Sequence, residues 1–296
     1  MWAVAFHPDG KHVLGGTSEQ TQRWRLADGQ EVGKQTGMKL HAISVSWDDK
    51  WIVCGTDGAG ANVWDGEIHQ RVIHVEGANV VDAVDVAPDS TRFATGNRDG
   101  EASIWSILSG RRLVGPLKHD NWVTGARFSP TGEHIATARY MGIRIFDSQT
   151  GDKLVTISTD QPGWGATTPI AWSSDAQRIF AASRDRKVKV FDTSTGTQLA
   201  ESPTLHDSTN DIPSVALDAN GKFIAAFINR SISFLDTSTL ARIGPVIEDS
   251  DRIWSIKISP DSTRLASGRH DGTIAIRDLG KILPDRYGPF DVSILP

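Results

Sequence analysis

The sequence predicts an all-β fold made of seven successive copies of one strand-and-turn unit. A turn motif, clearest in His7-Pro8-Asp9-Gly10 and Ser259-Pro260-Asp261-Ser262, recurs along the 296 residues. Short runs in which apolar and polar residues alternate precede and follow each turn. Alternation with a period of two, bounded by Pro, Asp and Gly, is typical of half-buried strands joined in hairpins. The whole chain, 1–296, is therefore expected to form a single domain.

The repeat period is given by the residue at the proline position of each turn. Successive copies lie 39 to 45 residues apart, at Pro8, Trp47, Pro88, Pro130, Ser174, Ala219 and Pro260. A third strand in each copy ends in a large residue at a similar spacing, at Trp24, Trp64, Trp105, Phe146, Phe191, Leu235 and Arg277. Seven units of this size cover nearly the whole chain.

Five of the third strands continue with Asp after the large residue, as in Trp64-Asp65 and Phe191-Asp192. With the period and the hairpin turns, this pattern resembles the WD-repeat family, in which each repeat forms one blade of a β-propeller. The resemblance implies a seven-bladed β-propeller in which every blade is a four-stranded antiparallel sheet. The expected blades are at about 1–38, 39–78, 79–120, 121–160, 161–208, 209–249 and 250–296.

The family's polar signature is incomplete in this sequence. It joins a His ahead of the first strand, a Ser or Thr of the second strand, a turn Asp and a third-strand Trp. Blade three keeps Thr95, Asp99 and Trp105 but has Gly77 at the His position, and His119 is kept only in blade four. No blade has the full set, so we expect the blades to be held together more by apolar packing than by polar networks.

The last blade is expected to take its outer strand from the C-terminus. Earlier outer strands carry Gly115-Pro116 and Gly244-Pro245, and the same pair recurs as Gly288-Pro289. The sequence therefore predicts an outer strand at roughly Tyr287 to Ile294. Blades seven and one would then meet by side-chain packing alone.

Composition argues against several classes of function. The formal net charge of −5 disfavours nucleic acid as a partner, because phosphate binding needs a basic face. The apolar runs are too short for a membrane-spanning helix, and the first residues lack the layout of a signal peptide. Cys54 is the single cysteine, which excludes an internal disulfide. We expect an intracellular protein, in the cytoplasm or the nucleus, with no membrane partner.

Motifs that carry chemistry are missing from the sequence. It has neither a Gly-rich phosphate loop before a helix, nor His-Glu-x-x-His, nor Gly-x-Ser-x-Gly. The turn aspartates Asp99, Asp185 and Asp271 share one offset from the third-strand residue, which favours caps of tight turns over catalysis. We therefore predict that the chain is not an enzyme, with no catalytic residue, no metal-binding residue and no cofactor.

The resemblance also implies where a partner binds. In similar proteins the favoured contact positions open the first strand, lie two residues before it, or precede the turn Asp. Counting from the proline positions transfers these to ten residues: Trp2, Lys39, His41, Arg98, Trp122, Tyr140, Arg184, Arg252, Trp254 and His270. Aromatic residues and Arg dominate the energetics of protein interfaces.

These positions predict a recognition module. We expect a monomeric interaction scaffold that binds a protein or peptide on the rim, through an aromatic, mildly basic patch over blades seven, one and two. An equally weighted interpretation is that Trp2 and Trp254 only plug the channel mouth. The alternative function is a small-molecule or glycan sensing domain of a larger signalling protein.

Overall fold

The computed structural model describes residues 3–17, 20–33, 40–58, 60–67, 70–77, 79–139, 142–158, 170–205, 214–284 and 287. Within these ranges the chain forms 26 strands in seven antiparallel sheets, with one three-residue 3-10 helix at Leu279–Lys281. The sheets are arranged in a ring. The predicted all-β, seven-bladed propeller is therefore confirmed.

The strands of each blade are consecutive in the chain. Blades one to three contain β1 (Ala3–Phe6), β2 (His12–Gly16), β3 (Thr21–Arg25), β4 (Leu40–Val45), β5 (Trp51–Thr56), β6 (Gly60–Asp65), β7 (Arg71–Glu76), β8 (Val81–Val86), β9 (Arg92–Asn97), β10 (Glu101–Ser106) and β11 (Arg112–Lys118). Blades four and five contain β12 (Val123–Phe128), β13 (His134–Arg139), β14 (Gly142–Asp147), β15 (Lys153–Ser158), β16 (Ile170–Trp172), β17 (Arg178–Ala182), β18 (Val188–Asp192) and β19 (Gln198–Glu201). Blades six and seven contain β20 (Ser214–Leu217), β21 (Phe223–Ile228), β22 (Ser231–Asp236), β23 (Arg242–Glu248), β24 (Ile253–Ile258), β25 (Arg264–Arg269) and β26 (Ile274–Asp278).

Burial follows the position of a strand within its blade. The second strands are almost wholly buried, and every residue of β21 is buried. Outer strands such as β15 and β19 are mostly exposed. Each second strand lies inside its sheet and has a neighbouring blade on either side, so apolar side chains are favoured on both of its faces. The phenylalanines Phe93, Phe180 and Phe223 are fully buried at these positions.

The ring closes between blades seven and one. The first strands of adjacent blades contact each other around the axis, and β1 contacts β24 in the same way. The amide of Val4 donates to Ser255 Oγ at 3.4 Å across this junction, and Val4, Phe6 and Ala266 share a buried cluster. In the described ranges blades one and seven each form a three-stranded sheet. The outer strand predicted at 287–294 lies outside the described residues except for Tyr287, which is buried against blade six.

All seven predicted turns have the same backbone conformation. Two residues after each proline position φ is positive, at Gly10, Asp49, Ser90, Gly132, Ala176, Gly221 and Ser262, with values between 57° and 73°. This left-handed conformation is easiest for glycine, yet four of the seven positions carry another residue. Side-chain caps compensate, since Ser259 Oγ accepts from the amide of Arg264 at 2.9 Å and Asp261 Oδ1 accepts from that of Thr263 at 3.0 Å.

Parts of the family's polar network are present in blades three and four. Trp105 Nε1 donates to Thr95 Oγ1 at 2.9 Å, and His119 Nε2 lies 3.1 Å from Thr137 Oγ1. Burial and the charges of nearby arginines lower the pKa of His119 to about 4. That imidazole is therefore neutral at physiological pH and serves packing and hydrogen bonding.

Blade seven replaces the network with charged residues. Asp249, whose side chain is fully buried, occupies the His position, and Arg277 occupies the Trp position. Ser267 Oγ donates to Asp249 Oδ2 at 2.8 Å, and Arg277 donates to Ser267 Oγ at 2.7 Å and lies 2.7 Å from Asp249 Oδ2. Arg269 Nε donates to Asp249 Oδ1 at 2.6 Å. We expected the blades to be held together mainly by apolar packing. In blade seven that expectation is incomplete, because an ionic network stands in place of the family's polar signature.

Candidate functional site

Two kinds of segment form one rim of the propeller. They are the turns between second and third strands and the segments that enter each first strand. Backbone hydrogen bonds join them, as from Arg98 N to Val80 O at 3.1 Å and from His270 N to Arg252 O at 2.8 Å. Of the ten residues predicted from the sequence, seven are described and lie at this rim: His41, Arg98, Trp122, Arg184, Arg252, Trp254 and His270. Trp2, Lys39 and Tyr140 lie outside the described residues.

Three of the predicted residues belong to one network that crosses blades two, three and four. His41 Nδ1 lies 3.2 Å from Asp82 Oδ1, and His41 Nε2 lies 3.3 Å from Asp57 Oδ1. Arg98 donates twice to Asp82, from Nε at 2.7 Å and from Nη2 at 3.1 Å. A bidentate pair of this kind fixes the plane of the guanidinium group.

The network ends in an exposed aromatic ring. The Arg98 guanidinium carbon lies 5.2 Å from the centroid of Trp122, which is 39% exposed. We call His41, Asp57, Asp82, Arg98 and Trp122 the blade 2–4 network. Burial raises the pKa of Asp82, but its hydrogen bonds from His41 and Arg98 lower that pKa by more, so the net shift is downward. Asp82 is therefore ionised at physiological pH and holds Arg98 under the indole.

A second cluster contains the three predicted residues of blade seven. The Arg252 guanidinium carbon lies 4.7 Å from the centroid of Trp254, and the rings of Trp254 and His270 are 6.1 Å apart with 33° between their planes. Asp251 Oδ2 lies 4.0 Å from His270 Nδ1 and accepts from the amide of Asp271 at 2.8 Å. We call Arg252, Trp254 and His270 the blade 7 stack. Arg252 and His270 are exposed, so the stack offers a guanidinium group, an imidazole and an aromatic face to solvent.

Arg184 occupies the corresponding turn of blade five and is exposed. Beside it, Asp185 Oδ2 lies 3.1 Å from Lys189 Nζ, and Lys187 pairs with Glu201. Much of the positive charge of this turn is therefore neutralised by neighbouring carboxylates.

Two of the three turn aspartates, Asp185 and Asp271, act as the sequence predicts, whereas Asp99 accepts from the side chain of Asn79. Asp271 Oδ1 accepts from the amide and the hydroxyl of Thr273, and Asp185 Oδ1 accepts from the amide of Lys187 at 3.2 Å. The hydrogen bonds from Thr273 lower the pKa of Asp271. These contacts identify the carboxylates as turn caps.

Sequence reasoning missed the acidic residues of the rim. Asp82 stands at the same counted position as His41 and Trp254, but only aromatic and basic side chains at these positions were predicted to bind a partner. Asp120 was also missed and lies 2.9 Å from Arg139 and 3.5 Å from Arg144. The rim consequently alternates cations with carboxylates and is less basic than the predicted patch.

The single cysteine lacks the features of a reactive thiol. Cys54 is buried, and burial raises the pKa of its thiol to about 12, so the nucleophilic thiolate is suppressed. Across the described part of the chain, no three His, Cys, Asp or Glu side chains form a group that could hold a metal ion. No helix found there has the length and apolar character needed to cross a membrane.

The ring of seven four-stranded or three-stranded antiparallel blades defines the class of the molecule as a β-propeller. The model of the WD domain, G-beta repeat, matches the chain in four places, at residues 69–106, 111–147, 170–192 and 244–278. With the seven blades and their common turn, these matches confirm the resemblance to the WD-repeat family.

Named relatives cover the chain to different extents. The Intraflagellar transport protein 122 homolog of Danio rerio is 23% identical over 288 residues, which are 94% of this chain and 23% of that protein. The Small ribosomal subunit protein RACK1 of Caenorhabditis elegans is 26% identical over 160 residues, 51% of this chain and 46% of that protein. The chain thus spans less than half the length of both relatives.

A solved structure has the same fold. The β-propeller domain of Cps50 (Swd1) from Myceliophteria thermophila superposes with a TM-score of 0.78, covering 93% of this chain and 96% of that one. The two sequences are 17% identical, so the likeness concerns the fold.

Proposed function

We propose that this chain is a non-catalytic interaction scaffold that binds a protein or peptide on the rim carrying the blade 2–4 network and the blade 7 stack. The observation that carries the proposal is that Trp122 and Trp254 each stack with an arginine at the solvent-facing end of a rigid sheet. Exposed Trp and Arg are the residues that contribute most to binding energy at protein interfaces. Loops on a rigid scaffold are the usual place for them.

Preorganisation supports this function. Asp82 holds Arg98 through two hydrogen bonds, so that little rotamer entropy is lost when a partner contacts Trp122. The partner chemistry that fits is an acidic segment with an aromatic or aliphatic residue. Its carboxylates would contact Arg252 and His270, and its apolar side chain would pack on Trp254.

The relatives' names agree with this proposal in general terms, since one is named for a transport process and another for a ribosomal subunit. We extend to this chain only the role of a propeller that works inside a larger assembly.

Changing Trp122 or Trp254 to alanine is expected to weaken capture of the partner by about thirtyfold, since hot-spot truncations cost about 2 kcal/mol or more. Both indoles are partly exposed, so we expect only a small change in thermal stability. The measurement is quantitative affinity capture from an extract of the source cells, with the melting temperature of each variant recorded in parallel.

Leu108→Ala serves as the control, because Leu108 is 75% exposed and lies outside both clusters. Equal capture by the parent and by both tryptophan variants would contradict the proposal.

The double variant of Trp2 and Trp254 tests the interpretation that these two tryptophans only plug the channel mouth. Lost stability with retained capture would favour the plug, and lost capture with normal stability would favour the interface.

A further inference from the structure

A second opening of the propeller lies at the opposite rim. It is a cavity of about 600 Å³, open to solvent, formed by the ends of the first strands and the turns that follow them in blades two to seven. None of the seven predicted residues that the structure describes lines it. At its inner end the channel narrows to a small space between first strands, and Arg127 and Lys257 line both the cavity and this constriction.

Most polar groups of the cavity are already used. Asp85 accepts from Arg127 Nη1 at 2.7 Å and from the amide of Phe128 at 2.9 Å, so both of its oxygens have a donor. Asp218 accepts from the amides of Phe223 and Asn220 at 2.7 and 3.1 Å, and burial raises its pKa.

Lys257 is the exception. The described residues provide its ammonium group with neither a hydrogen bond nor an ion pair. It projects from the innermost strand β24 into a cavity whose walls include Phe128, Trp172 and Leu217. Lys257 is half-buried in this cavity, so its ammonium group loses part of its hydration without gaining a partner, and a bound anion would offset that cost.

Two basic side chains, Arg127 and Lys257, and two acidic ones, Asp85 and Asp218, line the cavity, and the Asp218 carboxyl group is already bound by backbone amides. Arg127 and Asp85 neutralise each other, which leaves Lys257 for the ligand. At the lip, Trp47 is 64% exposed and also lines the cavity, so apolar surface continues from the lysine out to the rim. Cavities of about 300–1,000 Å³ are typical of ligand sites, and a lone carboxylate would leave most of this one empty.

We propose that this cavity is a second docking site, which takes an extended peptide whose acidic side chain pairs with Lys257 while adjacent apolar side chains pack on Phe128, Trp172 and Trp47. The open mouth lets the chain on either side of the acidic residue leave toward solvent. The site is independent of the rim of the proposed function, and the two are tested with different variants.

The test uses peptides of the form Ser-X-Glu-X-Ser, acetylated and amidated, with Leu, Phe or Trp at X, and a matched set with Gln in place of Glu. Affinities are measured by isothermal titration at pH 6. At least one Glu peptide should bind about tenfold or more tightly than its Gln counterpart. Lys257→Met should abolish that difference, whereas Lys153→Met, on the exposed outer strand β15, should retain it.

Two results would overturn the proposal. One is equal binding of the Glu and Gln peptides, or a Glu preference that survives in Lys257→Met. The other is binding of hexanoate as tight as that of the best peptide, which would assign the cavity to a free small acid.

A measurement on the unmodified protein keeps the proposal falsifiable if the variant folds poorly. Burial and the charge of Arg127 lower the pKa of Lys257 to about 7, against the opposing effect of Asp85. The other ionisable groups that line the cavity are Arg127, Asp85 and Asp218, and burial raises the pKa of Asp218. The preference for Glu should therefore fall several-fold from pH 6 to pH 8.5, and a constant preference would contradict the role of Lys257.

Discussion

Replacing Asp249 with alanine is expected to lower the free energy of unfolding by about 3–5 kcal/mol, the usual cost of removing one partner of a buried ion pair. The Asp249 side chain has no exposed surface and is contacted by Ser267, Arg269 and Arg277. Its removal leaves two guanidinium groups without their shared carboxylate in a low-dielectric interior. Urea denaturation of the parent and the variant measures the difference.

Asp120→Ala is the matched control. Asp120 also lies near two arginines, Arg139 and Arg144, but its side chain is 67% exposed. Exposed ion pairs contribute about 1 kcal/mol or less, so this variant should stay close to the parent. If Asp249→Ala costs no more than Asp120→Ala, the ionic network of blade seven does not stabilise the ring.

The same network has a consequence for pH. Burial raises the pKa of Asp249, but the hydrogen bond from Ser267 and the charge of Arg277 lower it by more. A carboxylate with a lowered folded-state pKa stabilises the protein above its unfolded value of about 3.9, and that stabilisation is lost as pH falls below it. Acidification from pH 5 to pH 3 should therefore destabilise the parent more than it destabilises Asp249→Ala.

The repeat period made the fold predictable because each turn has its own local signal. Pro, Asp and Gly mark the hairpin even where one of them is replaced, and Ala176 and Asp49 still adopt the left-handed conformation of Gly10. Trp47 replaces the proline of the turn motif in the sequence. In the fold it is an exposed residue at the edge of a cavity.

Substitutions within the polar signature were harder to interpret. The sequence shows Arg277 at a Trp position and Asp249 eleven residues before Pro260, the spacing that His119 has to Pro130. Each change alone looks like a loss. Only their proximity in the folded blade shows that one change compensates for the other.

The positions of the rim residues could be counted from the repeat period, but the contacts between these residues could not be predicted from the sequence. His41 and Asp82 belong to different blades, and their contact depends on how two separate sheets pack against each other. Lys257 was missed for a related reason. It follows an ordinary alternation in Trp254-Ser255-Ile256-Lys257-Ile258, and only the closed ring reveals that the polar face of β24 borders a channel rather than open solvent.

Replacing Tyr287 with alanine is expected to cost about 3–4 kcal/mol, as for other large-to-small changes of buried aromatic residues. Tyr287 is 5% exposed, its ring lies 6.4 Å from that of Phe223, and its hydroxyl donates to Asp236 at 2.5 Å. The contact joins a residue beyond the last described strand of blade seven to blade six. Burial raises the pKa of Asp236, but hydrogen bonds that include the one from Tyr287 hold it well below its usual value.

Comparing Tyr287→Ala with Tyr287→Phe and with a chain ending at residue 284 separates three contributions. Tyr287→Phe removes one hydrogen bond to a charged group and should cost about 1.5–3 kcal/mol. The truncated chain should melt below Tyr287→Ala if the outer strand predicted at 287–294 adds stability of its own. If the truncated chain and Tyr287→Ala have equal melting temperatures, the whole effect belongs to the tyrosine and the predicted outer strand adds no stability. A truncated chain as stable as the parent would contradict a stabilising role for both Tyr287 and the outer strand. Trp122→Ala, which removes a partly exposed aromatic ring, provides the baseline for a change without burial on this scale.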